Sequence, residues 1–287
     1  MTALTFKTDR FAELRDERSL GWGAPLVYKP ETGSTNDDAL AAARAGGASG
    51  SVFLADHQTH GRGRRGKTWV ATPGRHLLFS ILLRDVTTRD DAAGVGALTL
   101  AVGLGVRDAL AAHATSSSGD GVKLAVKWPN DVLATPLGAT APRKLAGILC
   151  EGQFVGSQLA AVVIGIGINV LRGSYPAELE GQVACLEEFA PSATPQAGAS
   201  HLEREAVLVD VLAAVESRVA IYRDAGFGAL LDEFTRHDAL AGERIEVSGA
   251  SPIVGTARGV DATGRLLVES DGLLVPVISG TVARSGL

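Results

Sequence analysis

Gln58-Thr-His-Gly-Arg-Gly-Arg-Arg-Gly-Lys-Thr-Trp-Val-Ala-Thr-Pro-Gly74 is the stretch on which the choice of fold turns. Gly61, Gly63 and Gly66 satisfy the dinucleotide pattern G-x-G-x-x-G, and Lys67 and Thr68 complete the P-loop pattern G-x-x-x-x-G-K-[ST]. Both mechanisms need a helix that starts at the last glycine, because its amino-terminal N–H groups hold the phosphates. Here Pro73 and Gly74 stop any helix within about one and a half turns of Gly66. A dinucleotide fold and a P-loop NTPase are therefore disfavoured.

Upstream, Val27–Lys29 and Ser51–Asp56 read as strands around an Ala-rich helix, Asp37–Arg44. Ser34 or Thr35 is its expected cap, Asp37 or Asp38 would complete a box-like start, and Gly46-Gly47 would end it. Downstream, His76–Arg84 is strand-like, and Ala92–His113 suits a helix with Val95, Leu98, Val102 and Val106 on one face. A loop at Ser116–Gly121 leads to a strand at Val122–Trp128. Ala134–Arg143, with two prolines and no periodicity, reads as a hairpin tip. Leu145–Phe154 and Leu159–Asn169 form an expected antiparallel pair. A polar stretch, Ala190–Ser200, precedes helices near His201–Asp224 and Phe227–His237.

After His237 the texture changes to five short strands between glycine turns: Arg244–Val247, Val254–Val260, Leu266–Glu269, Leu274–Ile278 and Thr281–Ala283. This pattern suggests a small closed barrel and a boundary that divides the chain into 1–238 and 239–287. Helices and strands are interspersed without regular βαβ alternation, so the expected class is α+β.

The 287 residues allow one large domain or two unequal ones at roughly 150 residues per domain. Hydrophobic content of 46% and charged content of 21% fit a globular chain and argue against a disordered or fibrous one. With 27 Lys and Arg against 32 Asp and Glu, the net charge is −5, so any phosphate contact must be local. The longest charge-free run, Gly152–Leu171, holds four glycines and several polar residues and reads as paired strands, not a membrane span. The amino terminus lacks the apolar core of a signal peptide. Cys150 and Cys185 have no metal spacing, which fits free thiols in a reducing cytoplasm. His57 and His60 form an H-x-x-H without an evident third ligand, so no zinc site is expected.

Arg62, Arg64, Arg65 and Lys67 place four positive charges within six residues. Guanidinium groups bind phosphate in a bidentate manner, and glycines let backbone N–H groups approach a ligand. On composition alone the loop is either an anion site or a solvated basic turn. A DNA or RNA binder would interleave aromatic residues with the basic ones, which this loop does not.

Five segments carry a resemblance: Gly33-Ser-Thr-Asn36, Gln58–Gly66, Lys127-Trp-Pro-Asn-Asp131, Lys144-Leu-Ala-Gly-Ile-Leu149 and Gly165-Ile-Gly-Ile-Asn169. Their order resembles the biotin protein ligase family over about residues 26–285, and Gly255–Gly264 looks like that family's SH3-like carboxyl-terminal domain. The resemblance implies a mixed, largely antiparallel sheet flanked by helices. It also implies an enzyme that joins biotin to ATP as biotinyl-5′-AMP with Mg²⁺, then passes biotin to one lysine of a biotin carboxyl carrier domain of acyl-CoA carboxylase. By the same resemblance, Ser34, Thr35, Asn36, Gln58, Gly61, Arg62, Gly63, Arg64, Lys144, Gly147 and Gly165 meet biotin. Arg64, Arg65, Trp69, Asn130, Lys144 and Asn169 meet ATP or the adenylate. Arg64, Lys144 and Asp131 are the implied catalytic set, with Asp131 a metal or acceptor-lysine contact.

Residue types permit bland readings beside these: helix capping for Ser34 and Thr35, strand packing for Gly165 and Gly167, and core packing for Trp128. The chain departs from the family pattern at His60, where a small residue is common, and in the longer 134–143 segment. Residues 61–66 and 172–183 are candidate lids over the water-sensitive adenylate. Only 32 residues precede Gly33, too few for a winged helix-turn-helix of three helices, so a monofunctional type without operator binding is expected. A monomer or weak homodimer in the cytoplasm fits this reading. A lipoate or octanoate ligase of the same fold class is the alternative.

Overall fold

The computed structural model describes residues 4–84, 91–114, 121–156, 158–190, 202–249 and 252–284. Apart from Gly121 and Ala190, the expected loop at 116–121 and the polar stretch at 190–200 lie outside these residues.

Alternation along strand β7 (Gln158–Ile168) sets the architecture. Val162, Ile164, Ile166 and Ile168 bury themselves in the main core, whereas Ala161, Val163, Gly165 and Gly167 fall on the opposite face. The main core lies beneath two long helices, α3 (Asp91–His113) and α4 (Arg204–Ala225). The opposite face carries a smaller apolar cluster under α2 (Thr35–Arg44), formed by Ala39, Ala43, Phe53, Leu82, Ala161 and Val163. The remainder of that second face is free to hold a ligand.

The sheet has seven strands: β1 (Leu26–Thr32), β2 (Ser51–Gln58), β3 (Leu77–Leu83), β4 (Val122–Lys127), β5 (Asp131–Pro136), β6 (Arg143–Val155) and β7. Their spatial order is β1-β2-β3-β7-β6-β5-β4, parallel only between β1 and β2. This is the mixed, largely antiparallel α+β sheet expected from the sequence.

Helix α3 is apolar on more than the single expected face. Leu98, Leu100, Val102, Leu104 and Val106 are all buried, each aliphatic side chain contributing roughly 1.5–3 kcal/mol. It is long and apolar enough to cross a membrane, yet 67% of its apolar window is buried inside the fold, as a core helix requires. At Gly105 a Cβ would lie 2.8 Å from the Val215 backbone, so the missing side chain is what lets α3 and α4 touch.

An amino-terminal helix, α1 (Thr8–Glu17), was not legible in the sequence. The segment before it is held by buried Arg204, which donates to Asp56 at 2.7 Å and to the Leu4 carbonyl at 2.8 Å.

After the short helix α5 (Leu231–His237) come β8 (Arg244–Ser248), β9 (Ile253–Val260), β10 (Leu266–Ser270), β11 (Leu273–Val277) and β12 (Thr281–Arg284). They form one antiparallel sheet in the order β11-β10-β9-β8-β12. This is the small five-stranded SH3-like unit expected from the sequence, although among the described residues no ladder joins β11 to β12. Ile245, Val247, Ala257, Leu266 and Val268 run into the main core, which closes the apolar face without strand closure.

Three local readings need correction. Helix α2 starts at Thr35, two residues earlier than expected, with Ser34 at the cap position but no capping bond from its side chain. The box-like start is absent, since Asp38 instead accepts from Lys29 and Thr32. The hairpin tip spans only 137–142, because Ala134–Pro136 continue β5, with Pro136 registered against Val122.

Candidate active site

A row of cross-strand partners, Leu78, Gly167, Gly147, Asp131 and Lys127, runs over β3, β7, β6, β5 and β4. Beside it lies a second row, Ser80, Gly165 and Leu149. Directly opposed residues share a sheet face, so Gly147 and Gly167 leave a bare strip of backbone in mid-sheet. The Trp69 indole covers that strip: a Cβ on Gly167 would lie 2.6 Å from its Cε2, and one on Gly147 2.8 Å from its Cζ3. Any side chain there would evict the ring.

Above the strip is a cavity of about 670 Å³, within the range of small-ligand pockets. One end is polar and belongs to α2. The Gln58 side-chain oxygen accepts from the Thr35 backbone N–H at 2.8 Å. Ser80 Oγ lies 2.8 Å from Thr35 Oγ1 and 2.5 Å from Asn36 Oδ1, and Asn36 Nδ2 donates to Glu151 at 2.6 Å. Arg62 donates to the same Glu151 oxygen at 2.9 Å and pairs with Asp37 at 2.8 Å. A buried network thus fixes Thr35, Asn36 and Gln58, and Gly165 makes room for it, since a Cβ there would overlap the Asn36 amide.

The other end is cationic. Lys144 Nζ is 2.6 Å from Asp131 Oδ1 and 5.2 Å from the Trp69 ring centroid. Lys144 and Asp131 thus form a close ion pair, and both line the cavity. Lys127 donates to the Val282 carbonyl at 2.9 Å. Burial, with Lys144, Arg284 and Lys67 around it, lowers the Lys127 ammonium below the ordinary lysine range, while Asp131 opposes the shift. Burial and neighbouring Arg65 likewise lower the Arg64 guanidinium, which remains charged at neutral pH. Among the described residues Arg64 pairs with no carboxylate, so its charge is available to a ligand.

The structure brings fifteen of the expected site residues to this one cavity: Ser34, Thr35, Asn36, Gln58, Arg62, Gly63, Arg64, Arg65, Trp69, Asn130, Asp131, Lys144, Gly147, Gly165 and Asn169. Gly61 lines an adjoining hollow under the same loop and packs against the Trp69 carbonyl. Asn130 and Asn169 also have structural work: the first bonds the Ile148 carbonyl at 2.9 Å, the second the Lys144 carbonyl at 3.3 Å. Asn169 Oδ1 and Trp69 Nε1 are buried without hydrogen-bond partners in the protein, and both residues line the cavity. Trp128 is 2% exposed and donates to the Gly264 carbonyl, joining the two sheets. His57 turns to Glu31, whereas His60 meets Thr59.

Ser80, Glu151 and Lys127 were not singled out from the sequence. Ser80 had a signal, being the one polar residue in the buried strand Leu77–Leu83. Glu151 had none, because its partners lie more than 80 residues away in the chain.

The profile of the Biotin/lipoate A/B protein ligase family matches residues 33–169, and that of the Biotin protein ligase C terminal domain matches 241–284. The biotin–[acetyl-CoA-carboxylase] ligase of Mycobacterium tuberculosis is 34% identical over 287 residues, spanning 96% of this chain and 98% of that protein. That of Paracoccus denitrificans is 32% identical over 245 residues, spanning 83% and 91%. The Aquifex aeolicus biotin protein ligase in complex with biotin and ATP superposes with a TM-score of 0.71 at 25% identity, covering 91% of this chain and 99% of that one.

Proposed function

The chain belongs to the biotin protein ligase family, and on that premise we propose that it activates biotin with ATP and transfers it to a lysine of a biotin carboxyl carrier domain of acyl-CoA carboxylase. One observation carries the reading. Arg64, Lys127 and Lys144 converge with a single carboxylate, Asp131, at one end of a cavity whose other end is a fixed polar network on a glycine floor.

In the first step a carboxylate oxygen of biotin attacks the α-phosphorus of ATP, and the bond to the β-phosphate breaks as pyrophosphate leaves. Two anions must meet, so fixed positive charge is the principal requirement. Lys144 is the group that would touch the acyl oxygen and the α-phosphate together, and Arg64 the one that would hold the adenylate. Thr35, Asn36 and Gln58, aimed by Ser80 and Glu151, suit a ureido ring that donates and accepts hydrogen bonds. Trp69 and the Gly147–Gly167 strip supply apolar walls. In the second step the neutral amine of the acceptor lysine attacks the acyl carbon, the bond to AMP breaks, and the amine loses its proton.

Mg²⁺ suits the site in one respect: Asp131 is the one carboxylate lining the cavity among the described residues, and a single carboxylate is enough for an ion held mainly by nucleotide phosphates. Bound there, it would neutralise phosphate charge. The proposal assigns 1–238 to catalysis and 239–287 to a carboxyl-terminal wall of the site. It includes a cytoplasmic monomer or weak homodimer with no role on DNA.

The test mixes the protein with Mg-ATP, biotin and a carrier domain, followed by intact and peptide mass spectrometry. Biotin on one carrier lysine is expected. No adduct, or an adduct with lipoate in place of biotin, would overturn the reading.

A further inference from the structure

The loop at 61–68 is held from a direction that the reaction itself does not demand. Arg65 has φ 56°, the left-handed region that a side chain enters only when its surroundings impose it. Its guanidinium reaches the other sheet, where Nη1 donates to the Ser248 carbonyl at 2.9 Å. Ser248 ends β8, and the next residue is Gly249. A Cβ on Gly249 would lie 2.9 Å from Arg65 Nη2, so the guanidinium occupies the room that the missing side chain leaves. Among the described residues Arg65 has no other side-chain hydrogen bond or ion pair. Within the loop, the Gly63 N–H donates to the Lys67 carbonyl at 2.7 Å, and Arg62 bridges Thr68, so a pull on Arg65 acts on a closed unit that also carries Arg64.

We infer that the Ser248–Gly249 turn of the carboxyl-terminal sheet is a latch for this loop, with Arg65 as the positioning residue that engages it. The latch keeps Arg64 facing the cavity and so retains the activated acyl group until the acceptor arrives. This inference rests on the adenylate-forming reading above for its consequence, though not for its geometry.

Gly249→Val isolates the latch. Gly249 does not have a positive φ, and the three heavy atoms nearest an added Cβ all belong to the flexible end of Arg65, so the fold is expected to tolerate the change. In the ligand-free protein, amide exchange at Gly63 and Lys67 should quicken about fivefold, the loss of one hydrogen bond to a charged group. With biotin and Mg-ATP, labelling of serum albumin as bystander should rise about five- to tenfold relative to carrier labelling, at an unchanged melting temperature. In an Arg65→Ala background Gly249→Val should add nothing, because both changes remove one interaction. Unchanged exchange, or equal increments in both backgrounds, would overturn the latch. A parent chain that makes no biotinyl-AMP would instead sink the functional reading, with exchange still deciding the latch.

Discussion

Arg64 differs from the other two arginines of its loop in having its charge unspent: Arg62 is shared between Glu151 and Asp37, and Arg65 is anchored on Ser248. Replacing Arg64 by glycine removes the group that retains the adenylate while leaving the glycine floor and Lys144 in place. Arg64→Gly is therefore expected to release biotinyl-AMP and label nearby lysines indiscriminately, read by mass spectrometry of a mixed-protein reaction. Labelling confined to the carrier lysine would contradict it. Ser80 works at one remove. Its hydroxyl is the partner of the buried Asn36 Oδ1, so Ser80→Ala leaves that oxygen unsatisfied at a cost of about 1–3 kcal/mol. The expected result is a lower melting temperature together with a KM for biotin raised about tenfold and a KM for ATP unchanged. Equal shifts in both KM values would show that the network does not belong to the biotin end.

Two candidate lids differ in how they are tied. The segment at 172–183 is pinned at its far end, where the Lys144 N–H donates to the Gln182 carbonyl and the Ala184 N–H to the Lys144 carbonyl. Near its start, Thr72 and Ser174 exchange hydrogen bonds at 3.0 and 3.1 Å. Between these anchors Leu179 and Gly181 line the cavity. Hydrogen exchange is expected to slow on adding biotin and ATP at 61–68 and 175–181, and to stay constant at 182–184. Equal exchange with and without ligand would defeat the lid idea. At this scale the strands were legible because buried strands of Val, Ile and Leu announce themselves by period and composition. Helix α1 was not, because ten residues with Phe11 as the sole buried side chain carry almost no periodic signal.

Asp238, bridged to Val126 of β4 just before the carboxyl-terminal sheet begins, is 9% exposed, and its Oδ2 has no partner. Burial pushes its carboxyl up to about 6, with the Leu240 N–H pulling the other way. A carboxyl raised on folding binds its proton more tightly in the native state, so stability falls as pH rises from about 4 to 6 and stays lower above that window. Asp238→Asn keeps the acceptor for Leu240 and carries no charge. It should raise the melting temperature at pH 7.5, by up to about 3 kcal/mol of stability, and leave it unchanged at pH 4. A lower melting temperature at pH 7.5 would refute this. His76 has the opposite sign: burial, then Arg204 and Arg75, lower it to about 4, so its contribution is lost as pH falls below 6.5. Comparing variant and parent at each pH cancels that background.

Residue order alone fixed the class of fold, the five motif segments and the refusal of a nucleotide helix at Gly66, because each depends on neighbours in the chain: period, turn chemistry, a proline too close to a glycine. Tertiary structure alone decided that Gly147 faces Gly167, that Ser80 and Glu151 aim the α2 residues, and that Arg65 bonds Ser248 of the second sheet. Those pairings join residues up to 183 apart, and strand register and the docking of one sheet on another depend on contacts that no local pattern encodes.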